Sequence, residues 1–370
     1  MPSTSTVLLM LQILAFCSPG EVLAQKCRPL SDKIIYRYDP SHTYYPDSAV
    51  VLGVSRSGSD LSILISVSKK QNGHLRTVFL KSSDGGMRWS TVAETASPLA
   101  LASMSPAQAP SNNQIRYKLM GQRDVYLRSQ DAGRTWIRPK NYIEKSSTAI
   151  FAQGVTGSPN SQAAFSLAAI NPKHPLELFT TIRIFPGRSA ANDPQPVDMG
   201  LYRSTDGAEH WNQVTDTIQY GTSLGVDSAN PKIMYGHAKS GLVKSTDGGA
   251  IWAPVGQQKE LEALPEVKLE NQPTSDGAAK PIILLQVRQI VIDPSSENTI
   301  YLITNKGIYR SNDGGQNWCL LDTGSDFIDS TYSMALDPAK TSSIFVGTRF
   351  GVLFSEDGGS HFRRIYPAFP

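Results

Sequence analysis

The feature that most constrains this chain is the pattern Ser-x-Asp-x-Gly-x-x-aromatic, which occurs six times, as a full match or a near copy. We call each copy a box and number the boxes from the N-terminus. Box 1 reads Ser82-Ser83-Asp84-Gly85-Gly86-Met87-Arg88-Trp89. Because the boxes extend over most of the chain, they form an internal repeat, and the repeat unit decides the architecture. The box aspartates are Asp84, Asp131, Asp206, Asp247, Asp313 and Asp357.

Each box lies inside a larger unit. In the clearest copy, residues 287–294, 299–304, 307–310 and 319–321 are short runs of β-branched, aromatic and aliphatic residues separated by Pro, Gly, Asn and Asp. Such runs predict four strands joined by turns. The box aspartates are 47, 75, 41, 66 and 44 residues apart. Four strands every roughly 40–45 residues indicate an all-β protein with one β-propeller. We predict six blades, and seven if a long interval hides a lost box.

The box predicts a tight turn between the third and fourth strands of a blade. An Asp in such a turn accepts hydrogen bonds from backbone N–H groups, and Gly provides the positive φ. The aromatic residue then returns into strand four and packs on the blade. We therefore predict structural rather than catalytic roles for the box aspartates. Box 2 has Ala132 for the first Gly, box 3 has Ala208 for the second, and box 6 has Phe362 for Trp.

These motifs resemble the Asp-box, or bacterial neuraminidase, repeat of sialidases, sortilin-type receptors, xyloglucanases and the photosystem II assembly factor. The longer unit, Asp-Pro followed by Gly-aliphatic-Tyr-Arg-Ser-x-Asp-Gly-Gly-x-x-Trp, is most similar to the branch containing xyloglucanases, sortilins and the assembly factor. The resemblance covers residues from about 48 to 366. It implies a β-propeller, but the same fold serves both enzymes and binding proteins.

The N-terminus carries a short apolar segment at residues 7–16, followed by Pro19-Gly20 and Val22-Leu23-Ala24. This pattern is typical of a signal peptide with a small-residue cleavage site, and it is too short to span a membrane. The alternative is a buried first strand. We predict a signal peptide at 1–24, a Tyr-rich segment at 25–47 that pairs with a blade edge, and the propeller at 48–370. The protein is then exported to the periplasm or the extracellular space, without a membrane span.

Composition excludes several functions. The net charge is +3 and no block of Lys and Arg occurs, so we expect no nucleic-acid partner. The six histidines show no metal-ligand spacing, and we expect no metal and no cofactor. Export makes a disulfide between Cys27 and Cys319 plausible, with two free thiols as the alternative. We expect a monomer.

The topology of a propeller sorts its loops onto two faces. Turns between strands 1 and 2 and between strands 3 and 4 share one face, which we call the box face. Loops between strands 2 and 3, and from strand 4 to the next blade, share the opposite loop face. Long insertions at 141–162, 186–198 and 256–281 are all predicted on the loop face, which favours it for binding unless they are neutral. Its candidate ligand-binding residues are Arg183, Arg188, His237, Arg288 and Arg349.

A catalytic alternative uses the same face. The resemblance to sialidases implies that Arg183, Arg288 and Arg349 could bind a carboxylate-bearing sugar. Tyr332 would then be the nucleophile, with Glu266 or Glu270 as its partner. Arg183-Ile184-Phe185-Pro186 departs from the Arg-Ile-Pro motif of those enzymes. For a xyloglucanase-like hydrolase, the available carboxylates are Asp193, Asp198 and Asp329.

The sequence therefore predicts an exported, non-catalytic β-propeller that binds a protein or a glycan through its loop face. A glycoside hydrolase on the same scaffold, xyloglucanase-like or sialidase-like, is the alternative.

Overall fold

The runs of β-branched and aromatic residues form strands, and the described residues contain no helix. The computed structural model describes residues 28–29, 48–71, 74–95, 107–108, 114–120, 125–131, 134–140, 142–143, 162–185, 195–238, 241–255, 287–323 and 331–367. Within these ranges, there is no helix that is long and apolar enough to cross a membrane.

Six antiparallel sheets follow one another along the described chain. A two-residue strand, β1 (Arg28–Pro29), precedes them. Sheet 1 contains β2 (Ala49–Ser57), β3 (Asp60–Gln71), β4 (His74–Ser82) and β5 (Ser90–Thr95). Sheet 2 contains β6 (Ala107–Gln108), β7 (Arg116–Met120) and β8 (Val125–Ser129). Its fourth strand is reduced to one bridge, in which Arg128 and Ile137 exchange two backbone hydrogen bonds of 2.9 Å.

The next strand, β9 (Tyr142–Ile143), pairs in parallel with the outer edge of sheet 3. Sheet 3 itself contains β10 (Gln162–Ile170), β11 (Leu178–Phe185), β12 (Val197–Ser204) and β13 (His210–Thr215). Two of the predicted insertions are therefore shorter than expected. Tyr142 and Ile143 belong to a strand because their backbone completes the edge of β13, and Val197 and Asp198 extend β12 opposite β11.

The last three sheets repeat the four-strand order most regularly. Sheet 4 contains β14 (Gly225–Val226), β15 (Met234–Ala238), β16 (Gly241–Ser245) and β17 (Ala253–Pro254). Sheet 5 contains β18 (Val287–Asp293), β19 (Ser296–Thr304), β20 (Gly307–Ser311) and β21 (Cys319–Leu320), and β1 pairs with the outer edge of β21. Sheet 6 contains β22 (Thr331–Asp337), β23 (Lys340–Thr348), β24 (Gly351–Ser355) and β25 (Arg363–Tyr366).

Both faces of a sheet are buried against neighbouring sheets, which explains the continuous apolar runs in the second strands. In β19, Ile300 and Leu302 point into a core shared with sheet 4, whereas Tyr301 and Ile303 point into a core shared with sheet 6. Strand side chains alternate between faces, so a strand between two cores is apolar at successive positions. The described residues form such cores between sheets 2 and 3, 3 and 4, 4 and 5, 5 and 6, and 6 and 1.

The core between sheets 6 and 1 joins the two ends of the sheet succession. Phe345 and Val352 of sheet 6 pack there with Ile63 and Ile65 of sheet 1. Five of the six junctions that a ring of six sheets requires are therefore packed within the described residues, and the protein is an all-β propeller, as the sequence predicts. The choice between six and seven blades stays a prediction, because 144–161 and 256–286 lie outside the described residues. The domain boundaries after residues 24 and 47 also stay predictions.

Candidate functional site

The box turns all use one hydrogen-bond pattern. In box 5, the Ser311 hydroxyl donates to Oδ1 of Asp313 at 2.7 Å and accepts the N–H of Gly315 at 2.8 Å. The same carboxylate oxygen accepts the backbone N–H groups of Gln316 and Asn317, both at 2.9 Å. In all six boxes the Ser hydroxyl donates to the Asp carboxylate, and that carboxylate accepts a backbone N–H from its own turn.

These bonds hold the box aspartates as carboxylates. The side-chain hydroxyl of Thr135, and then its backbone N–H, lower the pKa of Asp131 to about 2. At Asp357, burial raises the pKa, but hydrogen bonds from His361, first from its side chain, outweigh it and give a pKa of about 2. A carboxylate that is fully hydrogen-bonded within its own turn is a poor general acid. The box face therefore uses these carboxylates to hold its hairpins.

The candidate residues Arg183 and Asp198 lie together on the loop face, at the end of sheet 3. They oppose each other in neighbouring strands at a bulge, and the guanidinium binds both carboxylate oxygens, through Nε to Oδ1 and through Nη2 to Oδ2 at 3.1 Å. The hydrogen bond to Asp198 raises the pKa of Arg183. Arg183 also lies 4.7 Å from the ring centroid of Tyr220, in the loop leading to sheet 4. The carboxylate of Asp198 is thus bound in an ion pair with Arg183.

A second group of candidates lies on the loop face of sheets 5 and 6. Arg288, near the start of β18, donates to the carbonyl of Thr331 at 2.7 Å, and its guanidinium carbon is 5.7 Å from the centroid of Tyr332. The hydroxyl of Thr331 in turn donates to the carbonyl of Thr304 at 3.1 Å. These bonds connect the innermost strand of sheet 6 to the turn after the second strand of sheet 5.

Lys306 belongs to the same region and was not among the sequence candidates. Its backbone N–H donates to the Thr304 hydroxyl at 3.0 Å, its side chain is buried, and that burial lowers its pKa. The corresponding turn of sheet 6 contains Arg349, which is buried and 5.7 Å from the centroid of Phe350. Both turns read Thr-x-x-Gly, with Lys306 at the position that Phe350 occupies in sheet 6.

His237 is the second-last residue of β15, at the end of the strand that lies on the loop face. Burial lowers the pKa of this histidine, which favours the neutral ring at physiological pH. Its backbone carbonyl accepts the N–H of Gln219 at 3.3 Å, which attaches the sheet 3–4 loop to sheet 4.

The structure brings some sequence candidates together and separates others. Arg183 meets Asp198, and Arg288 meets Tyr332, but sheet 4 lies between the sheets that carry these two pairs. Arg188, Asp193, Glu266, Glu270, Asp329 and Cys27 lie outside the described residues. Cys319 is disulfide-bonded, and its pairing with Cys27 stays a prediction. Within the described ranges, no group of three His, Cys, Asp or Glu residues could hold a metal ion.

No protein-family model matches the chain. No curated protein matches it either. The GH74 xyloglucanase from Xanthomonas campestris is 16% identical, with a TM-score of 0.41 over 85% of this chain and 53% of that one. The chain thus spans about half the length of that enzyme.

Two further solved structures are similar over most of their own length. The α-L-arabinanase of Penicillium chrysogenum, complexed with arabinobiose, is 12% identical, with a TM-score of 0.42 over 91% of this chain and 99% of that one. YCF48 bound to D1 peptide is 13% identical, with a TM-score of 0.32 over 87% and 98% of the two chains.

Proposed function

We propose that this protein is an exported, non-catalytic β-propeller that binds a protein or glycan ligand on its loop face. The observation that carries the proposal is a set of three arginine–aromatic pairs at the loop-face ends of the sheets. They are Arg183 with Tyr220, Arg288 with Tyr332, and Arg349 with Phe350. Arginine and aromatic side chains are enriched in binding surfaces because they combine large contact area with directional polar groups.

The apolar side chains at the end of sheet 3 extend this surface. Phe185, the last residue of β11, and Val197, the first residue of β12, are both exposed. They are the residues at which β11 ends and β12 begins, and they lie in the same two strands as Arg183 and Asp198. An exposed apolar pair beside a charged pair is suited to a ligand with both apolar and polar groups.

The uniform geometry of the six turns supports the finer classification. We propose that the chain is an Asp-box propeller of the branch that contains xyloglucanases, sortilins and the photosystem II assembly factor. The same geometry supports the structural role of the box aspartates, because each carboxylate is used by its own turn. We further propose that the protein is a monomer, which size-exclusion chromatography with light scattering tests.

Binding is tested with arrays of defined glycans and defined peptides. The purified mature protein is applied to both, and any hit is measured by titration. We expect Arg288→Ala to weaken binding at least about tenfold, the loss typical of a hot-spot residue. The matched control is Arg363→Ala, because Arg363 also pairs with an aromatic residue, Phe354 at 4.9 Å, but lies beside box 6 on the opposite face. Equal losses in both variants would contradict the assignment of the face.

The alternative function is a glycoside hydrolase on the same face. The specific observation in its favour is Asp198, a partly exposed carboxylate on the loop face. A hydrolase needs a second carboxyl group about 5–10 Å away. A screen against chromogenic glycosides, with Asp193, Asp198, Glu266, Glu270 and Asp329 each changed to Ala, distinguishes the two functions. Hydrolysis by the wild type that is lost in one variant would establish the hydrolase.

Export is tested separately. The full chain is expressed in a secreting host, and the N-terminus of the protein recovered outside the cytoplasm is sequenced. We expect it to begin at Gln25, directly after the predicted cleavage site. A recovered protein that still begins at Met1 would contradict the predicted signal peptide.

A further inference from the structure

Two sheets carry a further strand on their outer edge. In sheet 3, β9 pairs with His210 and Trp211 of β13, and in sheet 5, β1 pairs with Cys319 and Leu320 of β21. β9 runs parallel to its neighbour and β1 runs antiparallel, so the outer edge of a blade accepts an added strand in either direction. The outermost strand of a sheet has backbone N–H and C=O groups on the side that its own sheet does not use, and an added strand binds these groups.

Both added strands bind the same part of the repeat. Counted from the box Asp, β9 pairs with the fourth and fifth residues, and β1 pairs with the sixth and seventh. In box 1 these positions are Arg88–Thr91, where the box leads into β5. The bulge of β5 falls at Val92, after this stretch, just as the bulge of β13 falls after the residues that β9 binds. Sheet 1 therefore presents at its edge the backbone positions that sheets 3 and 5 use for an added strand.

The edge of sheet 1 is also the least protected. β17 of sheet 4 ends at Pro254, which has no backbone N–H, and the fourth strand of sheet 2 is a single bridge. β25 of sheet 6 begins with two exposed arginines, Arg363 and Arg364. Short strands, prolines and basic residues are the usual means by which an edge avoids pairing. β5 is six residues long and contains no Pro, Lys or Arg, and its single charged residue, Glu94, lies beyond the stretch that an added strand uses.

Two exposed apolar side chains lie at the ends of this stretch. Met87 and Val92, which are 77% and 56% exposed, immediately precede and follow Arg88–Thr91. At the position of Met87, the other boxes carry Arg134, Glu209, Ala250, Gln316 and Ser360. Box 1 is thus the one box with a large apolar side chain at this position, and an exposed apolar group beside a strand edge is suited to a bound segment.

The tryptophans of the boxes show what an added strand does. Trp211 and Trp318, in the two sheets that carry one, are 0% and 8% exposed. Trp89 of box 1 is partly exposed, and in the described part of the chain no strand pairs with the outer edge of β5. Coverage of the edge therefore coincides with burial of the box tryptophan.

We propose that the edge of sheet 1 over Arg88–Thr91 binds an extended peptide segment of a partner protein, which adds a further strand to β5. Main-chain hydrogen bonds supply the affinity, and apolar side chains of the segment cover Met87 and Trp89. Lys81 and Arg88 are both exposed, which favours a segment that also carries an acidic residue. A second copy of the chain would bring its own two cations to this edge. The surface lies on the outer rim of the ring, so the proposal does not depend on the loop face.

Selection from a phage-displayed dodecapeptide library on the full mature chain tests the proposal. Peptides are selected on the wild type and deselected on Thr91→Pro, and the most enriched peptide is synthesised. The variant gives β5 the proline that β17 carries at the same position of box 4, where Pro254 pairs with Val243 without a backbone N–H. We expect Thr91→Pro to weaken binding at least about tenfold, because an N–H is lost from the edge. The matched control, Thr91→Val, keeps that N–H and should bind like the wild type.

A second measurement identifies strand addition directly. The synthetic peptide is methylated at one backbone nitrogen at a time. Because alternate N–H groups of a strand point to opposite sides, we expect only every second methylation to weaken binding, at least about tenfold. Hydrogen exchange of the complex should slow in residues 88–95, with little change in β17 and β25. If Thr91→Pro does not fold, the methylation series and the exchange on the wild type give the decision.

The opposing outcomes are equally definite. The proposal is overturned if no peptide distinguishes the wild type from Thr91→Pro, or if methylation acts equally at every position. Slowed exchange confined to the loop-face turns would also overturn it, while leaving the proposed function intact. A dimer seen by light scattering without peptide, and abolished by Thr91→Pro, would mean that β5 pairs with a second copy instead.

Discussion

Boxes 3 and 5 build the same turn but stabilise it differently. In box 5, the indole N–H of Trp318 donates to the carbonyl of Gly315 at 3.0 Å. In box 3 the residue equivalent to Gly315 is Ala208, at a positive φ of 75°. The fully buried indole N–H of Trp211 has no hydrogen-bond partner among the residues that the structure describes. An unsatisfied buried donor costs about 1–3 kcal/mol, and Ala in the left-handed region costs about 1–2 kcal/mol.

Box 3 has a compensating contact from the neighbouring sheet. Arg128 of sheet 2 donates through Nη1 to the carbonyls of Asp206 and Gly207, both at 2.9 Å, and forms an ion pair with Glu209. An added Cβ on Gly207 would lie 2.1 Å from that nitrogen and would displace the guanidinium, and the φ of 75° also favours Gly there. The comparison teaches that a repeat can lose local bonds when a neighbouring blade replaces them.

The largest expected effect is that of Arg128→Met. It leaves two carbonyls without their donor and removes an ion pair that is mostly buried, so we expect a loss of about 2–4 kcal/mol in the free energy of unfolding. Urea denaturation measures it. The matched control is Arg203→Met at the equivalent position of sheet 3, because the Arg203 side chain, which pairs with Glu177, is exposed. The control should lose at most about 1 kcal/mol. Equal losses in both variants would contradict the stabilising role of Arg128 at box 3.

The second effect concerns the Gly and Ala of the two boxes. Gly315→Ala places a Cβ 2.6 Å from Cγ1 of Val255 at a φ of 95°, so we expect a loss of about 2–3 kcal/mol. Ala208→Gly relieves the same backbone strain but removes a buried methyl group, so the two contributions nearly cancel, to within about 1 kcal/mol. Thermal denaturation compares the variants. A harmless Gly315→Ala would show that box 5 can adopt the geometry of box 3.

A smaller effect isolates the indole N–H. Trp318→Phe leaves the Gly315 carbonyl without its donor, whereas Trp211→Phe removes a donor that has no acceptor. Both changes shrink a buried ring, so the informative quantity is their difference. We expect Trp318→Phe to cost about 1 kcal/mol more than Trp211→Phe in the free energy of unfolding. The reverse order would mean that the Trp211 N–H is satisfied in solution.

The smallest effect is a pH dependence in the boxes that carry histidine. Box 6 resembles box 3, since His361 binds Asp357 at 2.5 Å as His210 binds Asp206 at 2.7 Å. The pKa of Asp357 is about 2, below its ordinary value of 3.8, so its contribution to stability is present above pH 4 and is lost as the pH falls through about 2.

Melting temperatures between pH 6 and pH 2 test this contribution. The wild type should lose more stability across that window than Asp357→Asn. His361→Asn gives box 6 the residue that box 5 carries at Asn317, and it should lie between them. If the melting temperatures of all three proteins fall equally between pH 6 and pH 2, the Asp357–His361 pair does not contribute to the loss of stability at low pH.

Much of the fold could be predicted from the sequence because the turns are local. The Ser and Asp of a box are two residues apart, and their hydrogen bonds involve atoms within four residues. The Gly residues of boxes 1 and 5 have the positive φ that the turn needs. Ile300 and Tyr301 point into different cores because successive side chains of a strand point to opposite faces of its sheet, and this too follows from the sequence pattern. Such features repeat with the sequence and identify the blade without tertiary information.

The candidate site could be predicted only in part. Arg183, Arg288 and Arg349 were placed on the loop face by strand order alone. The ion pair of Arg183 with Asp198 was not predictable, because it depends on the register and the bulge between two strands. Lys306 was missed because nothing in its turn distinguishes a buried lysine from a solvated one.

What the sequence by itself determined is the repeat, the strand order, the box turn and the face that carries the insertions. The tertiary structure decided which residues meet across sheets. Arg128 reaches box 3 across 78 residues, and Val51 meets Ser333 across 282. The physical reason is that local hydrogen bonds depend on neighbouring residues alone. Contacts across sheets depend on how every intervening sheet twists and packs, and they exist only once the ring has closed.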